Sequence, residues 1–93
     1  MKGSATVKQE VRISNSLGLH ARAASAFVKT AARFKADIEL IKDGQRANGK
    51  SIMGLLTLAA AEGTPIILEA TGPDAAEAIQ ALTTLIENKF GEE

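Results

Sequence analysis

The residues with the clearest chemical potential form the segment Gly18-Leu19-His20-Ala21-Arg22. His20 is the only histidine of the chain, and it stands between a glycine turn and an apolar pattern typical of an amphipathic helix. The first amides of a helix have no acceptor within it, so they and the helix dipole attract anions. The amides of Ala21, Arg22 and Ala23 and the Arg22 side chain are therefore predicted to cradle a phosphate beside His20.

A histidine in this place can act as a nucleophile. The positive helix end and the Arg22 guanidinium disfavour protonation of the imidazole, which leaves a neutral ring nitrogen. Such a nitrogen can bond covalently to a phosphoryl group, whose charge the amides and the cation then stabilise. The simpler alternative is a surface histidine in a loop, and Leu19 has the simpler interpretation of a core residue beneath the turn.

Hydrophobic periodicity places the elements that would position these residues. Asp43-Gly44 indicates a hairpin whose returning strand is an edge strand. The second helix is expected to begin after Ser51, a preferred N-cap, and to end at Gly63. Asp74 and Glu77 at the start of the third helix resemble a capping box. The predicted order is strand 6–13, helix 21–32, a strand around 38–40, strand 45–50, a helix from Ser51, strand 65–71 and a helix from Asp74 to about Lys89.

This order, β-α-β-β-α-β-α, predicts an α+β fold. We expect a two-layer open-faced sandwich with three helices on one face of a four-stranded antiparallel sheet. A chain of 93 residues fits one domain, 1–93, with an ordered core over about 6–90 and fraying over Met1–Ala5. Ile41 and Ile67 would then lie on the solvent face of the sheet.

Composition narrows the possible functions. The chain has no cysteine and one histidine, so we expect neither a metal site nor a cofactor. Aromatic residues are 3% of the chain, all of them Phe, which argues against a base-stacking surface for nucleic acid. No apolar run has the length of a membrane span, and no signal peptide is recognisable. We therefore expect a cytoplasmic location without membrane insertion.

The charges are unevenly distributed along the chain. Residues 1–50 contain ten of the 11 Lys and Arg but four of the 11 Asp and Glu, which gives the two halves net charges of about +6 and −6. Such asymmetry can guide a charged partner. Alternatively, the halves interleave in the fold and the fields partly cancel.

Two segments together resemble a known family. Gly18-Leu19-His20-Ala21-Arg22-Ala23-Ala24 resembles the phosphorylation motif G-[LI]-H-[AT]-R-P-A of the HPr phosphocarriers, and Gly49-Lys50-Ser51-Ile52-Met53-Gly54 resembles their regulatory serine segment. With the spacing of the motifs and the order of elements, the resemblance covers about residues 6–90. The family usually has proline where this chain has Ala23, a change expected to reduce rigidity while preserving the chemistry.

The resemblance implies a carrier of the bacterial phosphotransferase system rather than an enzyme. In that family enzyme I, charged from phosphoenolpyruvate, phosphorylates the carrier histidine on Nδ1, and the carrier passes the group to a IIA protein or domain. His20 would be the acceptor and Arg22 the supporting cation. Ser51 would be the target of a regulatory kinase/phosphorylase, and we expect a monomer.

Partner contacts are expected beside the histidine and along the second helix. Arg22, Lys29 and Arg33 share one side of the first helix, which is either a solvated face or a docking rim for acidic partners. The second helix has more apolar residues than one buried stripe needs, so part of it can remain an exposed contact patch. The predicted contact residues are Leu19, Lys29, Lys50, Ile52, Met53 and Leu56.

Two other functions fit part of the pattern. A small regulatory or ligand-binding α+β domain could use the same helix end merely to hold an anion. An acylphosphatase-like enzyme could occupy a chain of this size, but it would need a phosphate-cradling loop with Arg and a water-positioning Asn, for which the sequence has no convincing arrangement. A covalent, acid-labile phosphate would distinguish the carrier from both.

Overall fold

The structure, a computed structural model, describes residues 5–92, so most of the predicted frayed segment Met1–Ala5 lies outside the described residues. One four-stranded antiparallel sheet has the strand order β1-β4-β2-β3 and three helices pack on one of its faces, as predicted. The elements are β1 (Ala5–Arg12), α1 (Ala21–Ala31), β2 (Asp37–Lys42), β3 (Gln45–Asn48), α2 (Ile52–Leu58), β4 (Pro65–Gly72), α3 (Ala75–Glu87) and a final 3-10 turn, Lys89–Gly91.

Strand β4 lies in the middle of the sheet and fixes its register. It pairs with β1 from Ala5↔Gly72 to Arg12↔Pro65 and with β2 through pairs such as Leu40↔Leu68. Because side chains alternate along a strand, one face of this sheet is apolar and packs against the helices. Its buried side chains include Val11, Ile38, Leu40, Ala47, Ile66, Leu68 and Ala70.

Among the residues that the structure describes, no helix packs on the opposite face of the sheet. There Arg46 donates to Glu39 and Glu69, which face each other on β2 and β4. Ile41 is half-buried and Ile67 is 39% exposed on the same face, so the prediction for this pair is confirmed. Polar pairing across the strands and two partly exposed isoleucines show that this face meets solvent rather than a second core.

The hairpin between β2 and β3 also follows the sequence. Asp43 and Gly44 both have positive φ, 49° and 81°, as a two-residue turn of the type that matches strand twist requires. The strand that it leads to, β3, is four residues long and forms an edge of the sheet.

The prediction that α2 ends at Gly63 is wrong. The helix ends at Leu58, and its C-cap, Ala59, adopts a left-handed conformation with φ 51° and ψ 43°. Gly63 instead belongs to the turn before β4, where its amide donates to the carbonyl of Ile13 at 2.8 Å. The helix is therefore only seven residues long.

The predicted capping box of Asp74 and Glu77 is also wrong. Asp74 holds the N-cap position of α3 but makes no side-chain capping bond. Its carboxylate accepts hydrogen bonds from the amides of Lys35 and Ala36, at 2.8 and 2.9 Å. Asp74 thus ties the start of α3 to the segment that enters β2.

The last helix ends two residues earlier than the predicted Lys89, and the chain then turns sharply. Lys89 and Phe90 have positive φ, and Phe90 is 7% exposed within the core. This anchor holds the segment that follows against the rest of the fold. Among residues 5–92, no helix has the length and apolarity needed to span a membrane.

Candidate functional site

His20 is the N-cap of α1, at the junction between turn and helix where the sequence analysis places it. Its backbone is extended, with φ −84° and ψ −177°, and its carbonyl accepts the first helical hydrogen bond, from the Ala24 amide at 2.8 Å. The ring turns back over the helix end, where Nδ1 accepts a hydrogen bond from the Arg22 amide at 3.3 Å. Nδ1 is therefore the ring nitrogen that faces the positive end of the helix.

The turn before the helix needs glycine at position 18. Gly18 has φ +72°, and a Cβ there would lie 2.6 Å from the carbonyl oxygen of Ala60. The next amide, of Leu19, donates to that same oxygen at 2.8 Å. The loop therefore packs against the segment that follows α2, and this contact fixes the position at which α1 begins after His20.

Leu19 is 4% exposed and belongs to the hydrophobic core. Its predicted role as a partner contact is wrong, and the simpler interpretation of a core residue is correct. Burial of this side chain beneath the turn anchors the loop, so Leu19 positions His20 from below.

The other ring nitrogen of His20 meets a carboxylate that the sequence analysis did not identify. Nε2 lies 2.7 Å from Oε2 of Glu92, whose other oxygen accepts from the Asn15 side chain at 2.9 Å. The two residues of this pair are 72 positions apart along the chain. No periodicity or local motif could have indicated the contact.

Asn15 links this pair to the turn. Its side chain is fully buried, and Nδ2 also donates to the carbonyl of Gly18 at 2.7 Å. The side chains of His20 and Glu92 are 30% and 10% exposed, so the histidine remains open to solvent while the carboxylate is nearly enclosed. Asn15, like Glu92, was not among the predicted site residues.

This arrangement assigns different roles to the two nitrogens. A carboxylate can only accept, so in the neutral ring Nε2 carries the proton and Nδ1 carries the lone pair. The amides of Ala21, Arg22 and Ala23 precede the first helical hydrogen bond, and the Arg22 amide donates to Nδ1. The site can therefore offer a nitrogen nucleophile next to donors for an anion.

Arg22 is exposed on the first turn of α1. Ala23, where the family usually has proline, is fully buried. Within residues 5–92, no three His, Cys, Asp or Glu side chains are grouped to hold a metal ion.

Ser51 is the N-cap of α2, as predicted, and its Oγ accepts from the Gly54 amide at 3.0 Å. Lys50 beside it is half-buried, and its Nζ donates to the carbonyl of Phe34 at 2.7 Å. Lys50 thus links the start of α2 to the end of the α1 segment. Lys29, by contrast, is exposed on α1.

The predicted apolar patch is partly exposed. Met53 is 76% and Ile52 40% exposed, whereas Leu56 is half-buried and packs against the core. Leu17, in the loop before His20, is 73% exposed and was missed by the sequence analysis. Its position in a loop gave no amphipathic pattern from which exposure could be read.

Comparisons with known proteins match nearly the whole described chain. Residues 7–88 match the model of the PTS-HPr family, described as "PTS HPr component phosphorylation site". The phosphocarrier protein HPr of Neisseria meningitidis serogroup A is 56% identical over 86 residues, which is 92% of this chain and 97% of that protein.

Solved structures show the same fold. HPr from Thermoanaerobacter tengcongensis superposes with a TM-score of 0.90 at 47% identity, covering 94% of this chain and 98% of that one. A structure described as an HPr dimer from the same organism has a TM-score of 0.75 at 49% identity, covering 88% and 94%. The match extends over nearly the whole length of each relative.

Proposed function

Because the chain belongs to the HPr family of phosphocarrier proteins of the phosphotransferase system, we propose that it accepts a phosphoryl group on His20 from phosphorylated enzyme I. It then delivers the group to a IIA protein or domain. Phosphoenolpyruvate is the original donor. On this proposal the chain is a carrier with a covalent phosphohistidine intermediate, not an independent enzyme.

One observation carries the assignment: Nδ1 of His20 faces the start of α1, where it accepts from the Arg22 amide, while the side chain remains 30% exposed. The lone pair on Nδ1 attacks phosphorus, a nitrogen–phosphorus bond forms, and the bond from phosphorus to the donor breaks. The amides of Ala21, Arg22 and Ala23 and the Arg22 guanidinium stabilise the phosphoryl oxygens. Delivery is the reverse process with the acceptor as nucleophile.

Exposed apolar side chains on α2 and in the loop before His20 support a docking role. Apolar surface is exposed by Ile52 and Met53 on α2 and by Leu17 in the loop before His20. That loop packs against the segment that follows α2. Lys29 adds an exposed cation on α1, and the predicted contact residues Lys50 and Leu56 are half-buried. An apolar centre with a basic rim suits transient partners with acidic surroundings.

Ser51 is proposed as a regulatory phosphorylation site for a kinase/phosphorylase. Its hydroxyl is half-buried and already occupies a helix N-terminus, where a phosphate meets amides and the positive end of the dipole. The fold would persist. The added charge beside Ile52 and Met53 would instead oppose docking of an acidic partner.

We further propose a single domain over residues 1–93 that works as a cytoplasmic monomer. A carrier that alternates between two partners needs the same face free for both of them. The dimeric structure from Thermoanaerobacter tengcongensis makes the oligomeric state worth measuring directly. Sedimentation of the free chain should give the mass of one copy, near 9.7 kDa.

The assignment is tested by incubating the chain with phosphoenolpyruvate and enzyme I and measuring intact mass. We expect one added phosphoryl group that is lost on brief acid treatment, and none in His20→Ala. A phosphoryl group that persists in His20→Ala would overturn the choice of residue. Reversible phosphate binding without a covalent adduct would instead favour a simple anion-binding domain.

A further inference from the structure

The contact between Glu92 and His20 is built into the fold rather than made by a loose surface chain. Glu92 is 10% exposed at its side chain, and both of its oxygens are used, one by the fully buried Asn15 and one by Nε2 of His20. A nearly enclosed carboxylate with two designated donors has a fixed position.

The segment that carries Glu92 is anchored just before it. Phe90 is buried in the core, and the Glu92 amide donates to the Lys89 carbonyl at 3.0 Å, which closes the 3-10 turn. The turn packs against α1 and α3. The carboxylate is therefore presented to the ring by a packed element, and it approaches from the side opposite Nδ1.

We propose that Glu92 is a positioning residue for phosphoryl transfer, which fixes the ring and its tautomer so that Nδ1 is the nucleophile. This inference rests on the proposed function. By accepting a hydrogen bond from Nε2–H, the carboxylate keeps the lone pair on Nδ1, which faces the Arg22 amide at the start of α1.

The same contact stabilises the phosphorylated state. When Nδ1 bonds to phosphorus and the donor bond breaks, Nε2 keeps its proton and the ring becomes formally positive. The Glu92 carboxylate at 2.7 Å compensates that charge without taking the proton, the role of the carboxylate behind a catalytic histidine in hydrolases. Glu92 thus acts through the ring and does not touch the transferred group.

The test compares Glu92→Ala, Glu92→Gln and the unchanged chain, with Glu87→Ala as the control. Glu87 is an exposed acid at the end of α3, so its removal changes net charge equally. The first readout is the pair of imidazole ¹⁵N chemical shifts of His20, followed over a range of mildly alkaline pH. The second is the rate of phosphorylation by enzyme I, separated into kcat and KM.

In Glu92→Ala we expect a substantial population of the other tautomer and a kcat about tenfold lower, the usual size for loss of an orienting partner. Glu92→Gln should keep the tautomer, because its amide oxygen still accepts from Nε2, but should transfer slowly for lack of charge. Glu87→Ala should match the unchanged chain.

Unchanged shifts and rates in Glu92→Ala would overturn the proposal, and so would equal effects in Glu87→Ala. The ¹⁵N shifts need no phosphorylation, so they test the effect of Glu92 on the His20 tautomer even if enzyme I is not the donor. A chain that shows the predicted shifts but accepts no phosphoryl group would contradict the proposed function alone.

Discussion

At the scale of single residues, Arg22 should act on transfer rather than on stability. Its side chain is exposed at the helix start, and a guanidinium fork suits phosphoryl oxygens. Arg22→Ala should slow phosphorylation about ten- to a hundredfold, which corresponds to the ~1.5–3 kcal/mol of a hydrogen bond to a charged group. Timed phosphotransfer assays with enzyme I measure the rate, and a thermal melt measures the stability.

Arg22→Lys separates charge from geometry at the same position. Lysine keeps the cation but not the planar fork, so an intermediate rate is expected. A large loss of stability in Arg22→Ala together with normal transfer would show that the side chain serves the fold instead.

The local part of the site could be predicted from the sequence, and the distant part could not. His20 and Ser51 were identified because capping depends on neighbours within a few residues, and both are N-caps in the structure. Glu92 contacts His20 across 72 positions of the chain and Asn15 across 77. Only the packing of the final turn against α1 brings these groups together.

At the level of secondary-structure elements, substitutions of Ser51 distinguish its structural role as N-cap of α2 from a regulatory role. Ser51→Ala removes the acceptor of the Gly54 amide and should lower stability by about 1 kcal/mol in urea unfolding. Ser51→Asp should remain folded, because aspartate also caps helices, but should be phosphorylated on His20 much more slowly.

The control for the added charge is Thr84→Asp. Thr84 is exposed on α3, in the groove that also contains Thr30 and Arg33. This variant should be phosphorylated at the normal rate. If both aspartate variants slow transfer equally, a general charge effect replaces the docking explanation.

Asp74 should make stability depend on pH. The hydrogen bond from the Lys35 amide, with that from Ala36, lowers the pKa of Asp74. A lowered folded-state pKa stabilises the fold above the unfolded value of about 3.9, and that contribution disappears as pH falls through the folded value. Asp74→Asn should be less stable than the unchanged chain at neutral pH, and the gap should narrow in acid.

Urea midpoints at several pH values would measure this gap, with Asp43→Asn as the control. Asp43 is exposed in the β2–β3 turn. A gap for Asp74→Asn that stays constant down to about one unit below the ordinary aspartate value would contradict the assignment.

The ends of elements were the least predictable part of the fold. Gly63 is a strong stop signal in sequence, yet α2 ends at Leu58 because Ala59 accepts a left-handed conformation. Asp74 and Glu77 have capping-box spacing, but the carboxylate binds amides of another segment. In both cases tertiary contacts decide between local alternatives of similar energy.

At the scale of the whole molecule, the fold mixes the two oppositely charged halves of the sequence. Strand β4, from the acidic half, lies between β1 and β2 from the basic half. Glu69 on β4 accordingly contacts Lys8 and Arg46. The alternative in which the halves interleave is therefore correct for the sheet. Element order and the edge position of β3 were predictable because they follow from periodicity and connection rules.

The exposed face of α2 should govern encounter with partners. Met53 is 76% exposed, so Met53→Ala should leave the unfolding midpoint nearly unchanged. It should raise the KM for enzyme I about fivefold or more, as removal of an anchor residue costs over ~1 kcal/mol. Ile67→Ala, on the open face of the sheet, is the matched apolar control and should leave KM unchanged. Equal KM values for all three chains would remove Met53 from the contact surface.

Nitrogen–phosphorus coupling shows directly whether Nδ1 of His20 carries the phosphoryl group. The chain is labelled with ¹⁵N-histidine, phosphorylated with enzyme I and phosphoenolpyruvate, and observed by ¹⁵N and ³¹P NMR. We expect a single phosphorus coupled to Nδ1, with the proton on Nε2 toward Glu92. A phosphorus coupled to Nε2, or one with no nitrogen coupling at all, would contradict the account.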